Sequence, residues 1–266
     1  MKYSCLLSLS LCLTILSCKT ELKEKAKDAR EANTKDLVAE LSSDKKKLSI
    51  NPISHATLVL SYDNDDIYVD PTGGAEAFTA FSSAEIVLIT DIHGDHMDLE
   101  TLKGLDLSNT TLIAPKAVVD KLPDDLKTKT IITLNNGDSI TINGYSFEAI
   151  PMYNLREEAL TYHTKGRGNG YVLTINKERI YISGDTEDIP EMRALENIDK
   201  AFVCMNLPYT MTIDSAVSAV LEFKPKLVYP YHYRGTDGFS DVTSFKTLIN
   251  QENKSIEVVL LDWYKK

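Results

Sequence analysis

Between Leu88 and Asp98 the chain reads "LITDIHGDHMD", which places Asp91, His93, Asp95, His96 and Asp98 in one short run. In an extended segment Asp91, His93 and Asp95 point one way and His96 the other, so one run can serve two adjacent metal positions. Carboxylates crowded without partners repel one another, whereas carboxylate and imidazole together suit a first-row divalent ion. The competing reading is a charged turn in which Asp95 or Asp98 caps a helix over "LETLKGL".

The other histidines stand in comparable places, at the ends of strand-like runs or in a glycine-rich loop, where scaffolds carry chemistry. His55 precedes "ATLVLSY", and His232 follows the apolar run in "KLVYPYHY". A solitary histidine in either place reads as structural. In "IYISGDTED", Gly184 permits a sharp turn and Asp185 follows the strand end; Asp185 or Thr186 capping a helix before Pro190 is the alternative. In "YHTKGRGNG", His163 precedes Gly166, Gly168 and Gly170, with Lys165 and Arg167 between them. That segment reads either as a flexible hairpin loop or as a ligand histidine beside a cationic loop that accepts an anion.

The elements that must position these groups alternate between strand-like and helical patterns. "ATLVLSYDNDDIYVD" reads as two strands around Asp63-Asn64-Asp65, and "AEIVLIT" and "TTLIAP" as short apolar strands. "SITINGYSFEAIP" is a hairpin turning at Asn143-Gly144, and "YVLTINKERIYIS" is another. Ile213, Ala216, Val217, Val220 and Leu221 fall at helical spacing, and a second helix is expected around Ser244 to Ile249 between strands "KLVYPY" and "IEVVLLD". "VLSYDNDDIYV" and "VLTINKERIYI" match in register, which suits two similar β-rich halves with helices outside.

A net charge of −10 argues against nucleic acid as a partner, because phosphate backbones attract basic surfaces. Residues 1–17 read as a lipoprotein signal peptide: Lys2, an apolar run over residues 6–16 too short to span a bilayer, then Ser17 before Cys18. Cys18 is the expected lipid attachment site, and the domain would be anchored to the bacterial cell envelope, on its periplasmic or surface face. Residues 18–47 mix both charge signs and lack aromatics, as a solvated tether does, and the folded domain is expected over residues 48–266. Cys204 then stands alone in "AFVCM" and reads as a buried small hydrophobe.

Taken in order, "SHATLVLSYDNDDIYVDP", "ITDIHGDH", "PMYNLREEALTYHTKGRGNGYVL", "RIYISGDTEDIPEM" and "KPKLVYPYHY" resemble the metallo-β-lactamase fold superfamily. The nearer likeness is to its ascorbate-6-phosphate-lactonase-like branch of metal-dependent hydrolases. The resemblance implies an α/β fold, an αββα four-layer sandwich, with one or two divalent metal ions where the sheets meet at one edge. Zinc is expected first, with manganese or iron as alternatives. By motif position His93 would serve the first metal, Asp95 and His96 the second, Asp185 would bridge, and His232 would complete the second site. His163 matches the branch's His-x-Lys-Gly histidine, while His55 and Asp70 match residues near the site or touching substrate.

Two departures concern the first metal: Asp91 stands where the family motif opens with histidine, and Asn154 where the wider superfamily commonly has one. Asp91 remains a legitimate ligand type. The resemblance implies hydrolysis of a phosphoester or an ester or lactone, with Asp185 and Asp95 as catalytic carboxylates. Arg167, with Lys165, would hold a small anionic substrate. The alternative is a lipid-anchored binding or sensing protein that keeps the fold without turnover.

Overall fold

Strand alternation builds the first sheet. The computed structural model describes residues 47–264; the leader, Cys18 and the tether as far as residue 46 lie outside them. Strands β1 (Ser49–Ser54), β2 (Thr57–Tyr62) and β3 (Asp65–Val69) run antiparallel, and β4 (Ile86–Leu88), β5 (Thr111–Ala114) and β6 (Thr130–Thr133) continue parallel to β3. Leu58, Leu60, Ile67, Val69, Ile86 and Leu88 face inward to the main core. Their neighbours Val59, Tyr68 and Val87 face outward to a second core under helices α1 (Leu99–Gly104) and α2 (Lys116–Val119). A one-residue slip would exchange the two sets, so burial on both faces pins the register.

The second sheet repeats the plan. Strands β7 (Ser139–Ile142), β8 (Tyr145–Met152), β9 (Gly168–Ile175) and β10 (Glu178–Ile182) form an antiparallel meander. Parallel to β10 follow β11 (Lys200–Cys204) and β12 (Leu227–Tyr231), while β13 (Arg234–Gly235) and β14 (Gly238–Phe239) form a separate small ribbon. Strand β15 (Glu257–Val258) completes the edge beside β12. Helices α3 (Pro190–Arg193), α4 (Ile213–Phe223) and α5 (Val242–Glu252) belong to this half, with Tyr181 of β10 set edge-on to Phe223 of α4 at 6.1 Å. The result is the αββα sandwich.

The internal echo is real in register. Val59 pairs with Tyr68 across β2–β3, and Val172 pairs with Tyr181 across β9–β10, at matching places in the two hairpins. Four elements differ from expectation. Of "IEVVLLD" only Glu257 and Val258 join the sheet, and "YHTKGRGNG" is no flexible loop at its end, because Gly168 to Gly170 already lie in β9. A Cβ on Gly170 would stand 2.8 Å from the Ser183 carbonyl oxygen, so the glycine lets β9 and β10 approach. Strands β1 and β6 were not foreseen.

At one edge the two sheets are tied together. The Asn169 N–H donates to the Thr90 carbonyl (2.9 Å), and the His232 N–H donates to the His55 carbonyl (3.2 Å). The chemistry-bearing residues converge at this edge.

Candidate metal centre

The site is assembled from the ends of strands. Asp70 follows β3, the Asp91–His96 run follows β4, Asp185 follows β10 and His232 follows β12. His55 lies in the β1–β2 turn and His163 in the loop before β9. His55, Asp70 and His232 have φ of 57°, 45° and 46°, a left-handed region that residues other than glycine rarely adopt. Asp98, not Asp95, caps α1, accepting from the Glu100 N–H (3.0 Å) and the Thr101 hydroxyl (2.6 Å). Helix α3 begins at Pro190 with Ile189 as its cap residue, so Asp185 and Thr186 are not its caps.

Asp70 is fully buried and accepts from Thr90 N (2.7 Å), Thr90 Oγ1 (2.6 Å) and His96 Nδ1 (2.8 Å). A carboxylate accepts here, so His96 keeps a proton on Nδ1 toward Asp70 and turns Nε2 to the site, where it would bind an ion on giving up its own proton. His96 Nε2 lies 3.2 Å from His232 Nε2 and 3.5 Å from Asp185 Oδ2. His232 Nε2 is 3.2 Å from Asp185 Oδ1 and 3.4 Å from Asp95 Oδ2. Neighbouring donors around a tetrahedral zinc with bonds of about 2.0–2.1 Å stand about 3.3 Å apart, so these spacings fit one ion. Asp185 Oδ1 and His163 Nε2 are buried without a hydrogen-bond partner, as atoms reserved for a ligand would be.

A second group, Asp91, His93 and His163, adjoins the first. His163 Nε2 is 3.3 Å from Asp185 Oδ2 and 3.9 Å from Asp91 Oδ2, which makes Asp185 common to both groups. His93 Nδ1 meets Asp91 Oδ2 at 2.7 Å. Asn154 donates from Nδ2 to the carbonyls of Ala159 (2.9 Å) and Tyr209 (2.6 Å) and lies 3.3 Å from His163 Nδ1, while its Oδ1 has no hydrogen-bond partner among the described residues. All seven residues expected as metal ligands are thus gathered at one edge. Asp95 also meets His55 Nε2 (3.3 Å), whose Nδ1 pairs with the Tyr264 hydroxyl (2.8 Å).

The electrostatics match a cation site. Burial disfavours charge on His96, yet Asp185 and Asp70 outweigh it and hold the imidazole protonated well above its ordinary range. Burial likewise opposes the Asp185 carboxylate, but His232 and His96 pull its pKa well below normal. Asp95 is also lowered, despite burial, by His232 and His55. Burial pushes the Asp70 carboxyl up, with His96 and Thr90 opposing it.

The two cations expected to grip substrate are engaged elsewhere. Lys165 Nζ pairs with Glu191 (2.7 Å), and Arg167 donates from Nε to Asp91 Oδ1 (3.1 Å) and from Nη2 to Asp91 Oδ2 (2.9 Å). A pocket of about 340 Å³ opens over the centre, lined by His93, Asp95, Tyr162, His163, Asp185, Asn206 and Tyr209. Among the described residues its lining includes no lysine or arginine. Sequence reasoning missed Asn206, Tyr209 and Tyr264, which no motif marks; Tyr162 directly precedes His163 and could have been found there.

Residues 49–232 match the family model of the beta-lactamase superfamily domain. The chain belongs to that superfamily. A crystal structure from Parabacteroides distasonis, assigned as a metal-dependent hydrolase, is 40% identical with a TM-score of 0.72, covering 82% of this chain and 94% of its own. A UPF0173 metal-dependent hydrolase of Pyrococcus abyssi is 24% identical over 200 residues, 71% of this chain and 87% of its own. Igni18, a metallo hydrolase of Ignicoccus hospitalis, is 19% identical with a TM-score of 0.68 over 82% and 96% of the two chains, and shows the shared fold. By family, this superfamily member is a metal-dependent hydrolase.

Proposed function

We propose that the protein hydrolyses a small ester or lactone at the centre built from His96, Asp185, His232 and Asp95. The observation that carries this is the spacing of the His96, Asp185 and His232 ligand atoms at 3.2 to 3.5 Å around a His96 held by buried Asp70, with Asp95 3.4 Å from His232 and 4.0 Å from His96. His96, Asp185 and His232, with Asp95 beside them, would hold a divalent ion, zinc or alternatively manganese or iron, which when bound would supply an activated water at near-neutral pH and a Lewis acid for the attacked oxygen. Asp185, whose Oδ1 is buried beside His232 Nε2 at 3.2 Å and has no geometric hydrogen bond among the described residues, would orient the attacking water and take up its proton. The proton that the water gives up would pass from Asp185 to the leaving alkoxide, with Asp95, partly exposed at the pocket and paired with His55, orienting that end of the site. Tyr162 and Tyr209, edge-on at 5.0 Å, and Asn206 exclude water and seat the substrate.

The lining without lysine or arginine supports an uncharged ester or lactone over a phosphomonoester, which would need its dianion matched. This departs from the anionic substrate expected from Arg167 and Lys165, which are engaged with Asp91 and Glu191. The test assays full-length protein, stripped and reloaded with zinc or manganese, on matched lactone, carboxylic ester, phosphodiester and phosphomonoester panels. Lactone or ester turnover that disappears in His96→Ala and His232→Ala is expected. Turnover that persists in metal-stripped protein would overturn the proposal. A folded, metal-loaded protein inert on every panel would favour the binding or sensing alternative.

The run from Lys2 to Cys18 supports attachment to the cell envelope through a lipid on Cys18, with residues 18–47 as spacer. Labelling with a radioactive fatty acid, lost in Cys18→Ala, tests that attachment.

A further inference from the structure

The two ligand groups differ in what holds their carboxylates. Around His96 and His232, Asp70, Asp95 and Asp185 have ion-pair contacts with histidines, and no lysine or arginine among the described residues pairs with them. That group brings uncompensated negative charge to an ion. Asp91 is different. It is fully buried, and both of its oxygens are taken by the Arg167 guanidinium, at 3.1 and 2.9 Å. Arg167 is itself mostly buried and further held by the Tyr162 carbonyl.

We propose that the protein holds one divalent ion, at His96, Asp185, His232 and Asp95, and that the Arg167–Asp91 pair closes the neighbouring position to a second. This rests on the metal-centred reading above. Three observations carry it. His93 Nδ1 and Asp91 Oδ2 are 2.7 Å apart, a hydrogen-bond contact, where two donors sharing a zinc ion would stand about 3.3 Å apart. The guanidinium cancels the charge of Asp91 and would repel an ion brought beside it. Asn154 commits Nδ2 to the Ala159 and Tyr209 carbonyls and could offer the group only a neutral amide oxygen in place of an imidazole. Arg167 thus sets a fixed cation against the one carboxylate a second ion would need, and His93 and His163 remain in the pocket wall.

The experiment measures metal stoichiometry, not activity. Full-length protein is stripped with chelator, re-equilibrated with zinc, analysed by elemental mass spectrometry and titrated calorimetrically. One equivalent is expected in the wild type. Arg167→Met should free Asp91 and admit a second equivalent, with affinity at that position raised about 10- to 100-fold. Asp91→Asn should keep the single equivalent at unchanged affinity, because Asp91 is no ligand of it. Two equivalents of comparable affinity in the wild type, no second equivalent in Arg167→Met, or loss of the ion in Asp91→Asn would each overturn the inference. If Arg167→Met fails to fold, the wild-type stoichiometry and Asp91→Asn decide. No zinc bound by the wild type overturns the metal-centred reading itself, so the two failures are distinguishable.

Discussion

Replacing Asp70 by Asn tests the tautomer argument without changing the shape of the side chain. The amide oxygen can still accept from Thr90 N, as Oδ1 does at 2.7 Å. The amide nitrogen then occupies the place of Oδ2, which now receives His96 Nδ1 at 2.8 Å and Thr90 Oγ1 at 2.6 Å. Being a donor, it selects the imidazole with a free Nδ1 and places the ring proton on Nε2. That is the atom facing His232 Nε2 at 3.2 Å and Asp185 Oδ2 at 3.5 Å; in the wild type Asp70 keeps the Nδ1 proton when Nε2 gives up its own to an ion, whereas the amide disfavours that tautomer. Loss of such a ligand-orienting partner weakens metal binding about 10- to 100-fold, about 1.4 to 2.7 kcal/mol. Competition with a zinc-chelating dye measures the affinity, and circular dichroism shows whether the fold is kept. A folded Asp70→Asn protein whose affinity stays within about twofold of wild type would refute the reasoning.

Other consequences are separable from that one. In metal-free protein the protonation of His96, opposed by burial but raised by Asp185 and Asp70, contributes stability fully below pH 6.5 and loses it as pH rises through the elevated folded pKa. Tm in chelator should therefore fall as pH is raised above 6.5, a slope that zinc removes; a flat profile in chelator would contradict it. Gly170→Ala drives a Cβ to 2.8 Å from the Ser183 carbonyl oxygen and 3.0 Å from that of Ile182, costing about 1–3 kcal/mol in chemical denaturation. No loss of stability would mean that β9 and β10 can part there freely. Tyr264→Phe removes the hydroxyl that pairs with His55 Nδ1 at 2.8 Å, and turnover should drop about fivefold, about 1 kcal/mol, with metal content unchanged. An unchanged rate would detach Tyr264 and His55 from the reaction.

How far the sequence could be read differs by element. Hairpins β2–β3 and β9–β10 were legible because their apolar residues alternate and their turns carry Asp, Asn or Lys at positive φ. β1 and β6 were not, since edge strands pair on one side only and their burial never falls into a clean apolar pattern. The glycines of "KGRGNG" looked like punctuation for a loop, but Gly170 sits under a neighbouring carbonyl, a reason invisible without the second sheet. At the site, residue types and order pointed to the histidines and aspartates that the fold gathers. The contacts that orient them did not show in the sequence, although the family resemblance placed Asp70 and His55 near the site and Arg167 was marked as part of a cationic loop. Asp70 reaches His96 across 26 positions, Arg167 reaches Asp91 across 76, and Tyr264 reaches His55 across 209. Tyr209 and Asn206 line the pocket from a loop with no motif. Arg167 shows the limit most plainly, because its nearness to glycines suggested a substrate contact and its geometry joins it to a buried carboxylate.

The most direct test of the account is the position of the ion itself, located by anomalous diffraction at the zinc edge from crystals of zinc-loaded protein. One peak is expected, about 2.0–2.2 Å from His96 Nε2, His232 Nε2 and an Asp185 oxygen. A peak elsewhere, or none at this sheet edge, would contradict the account.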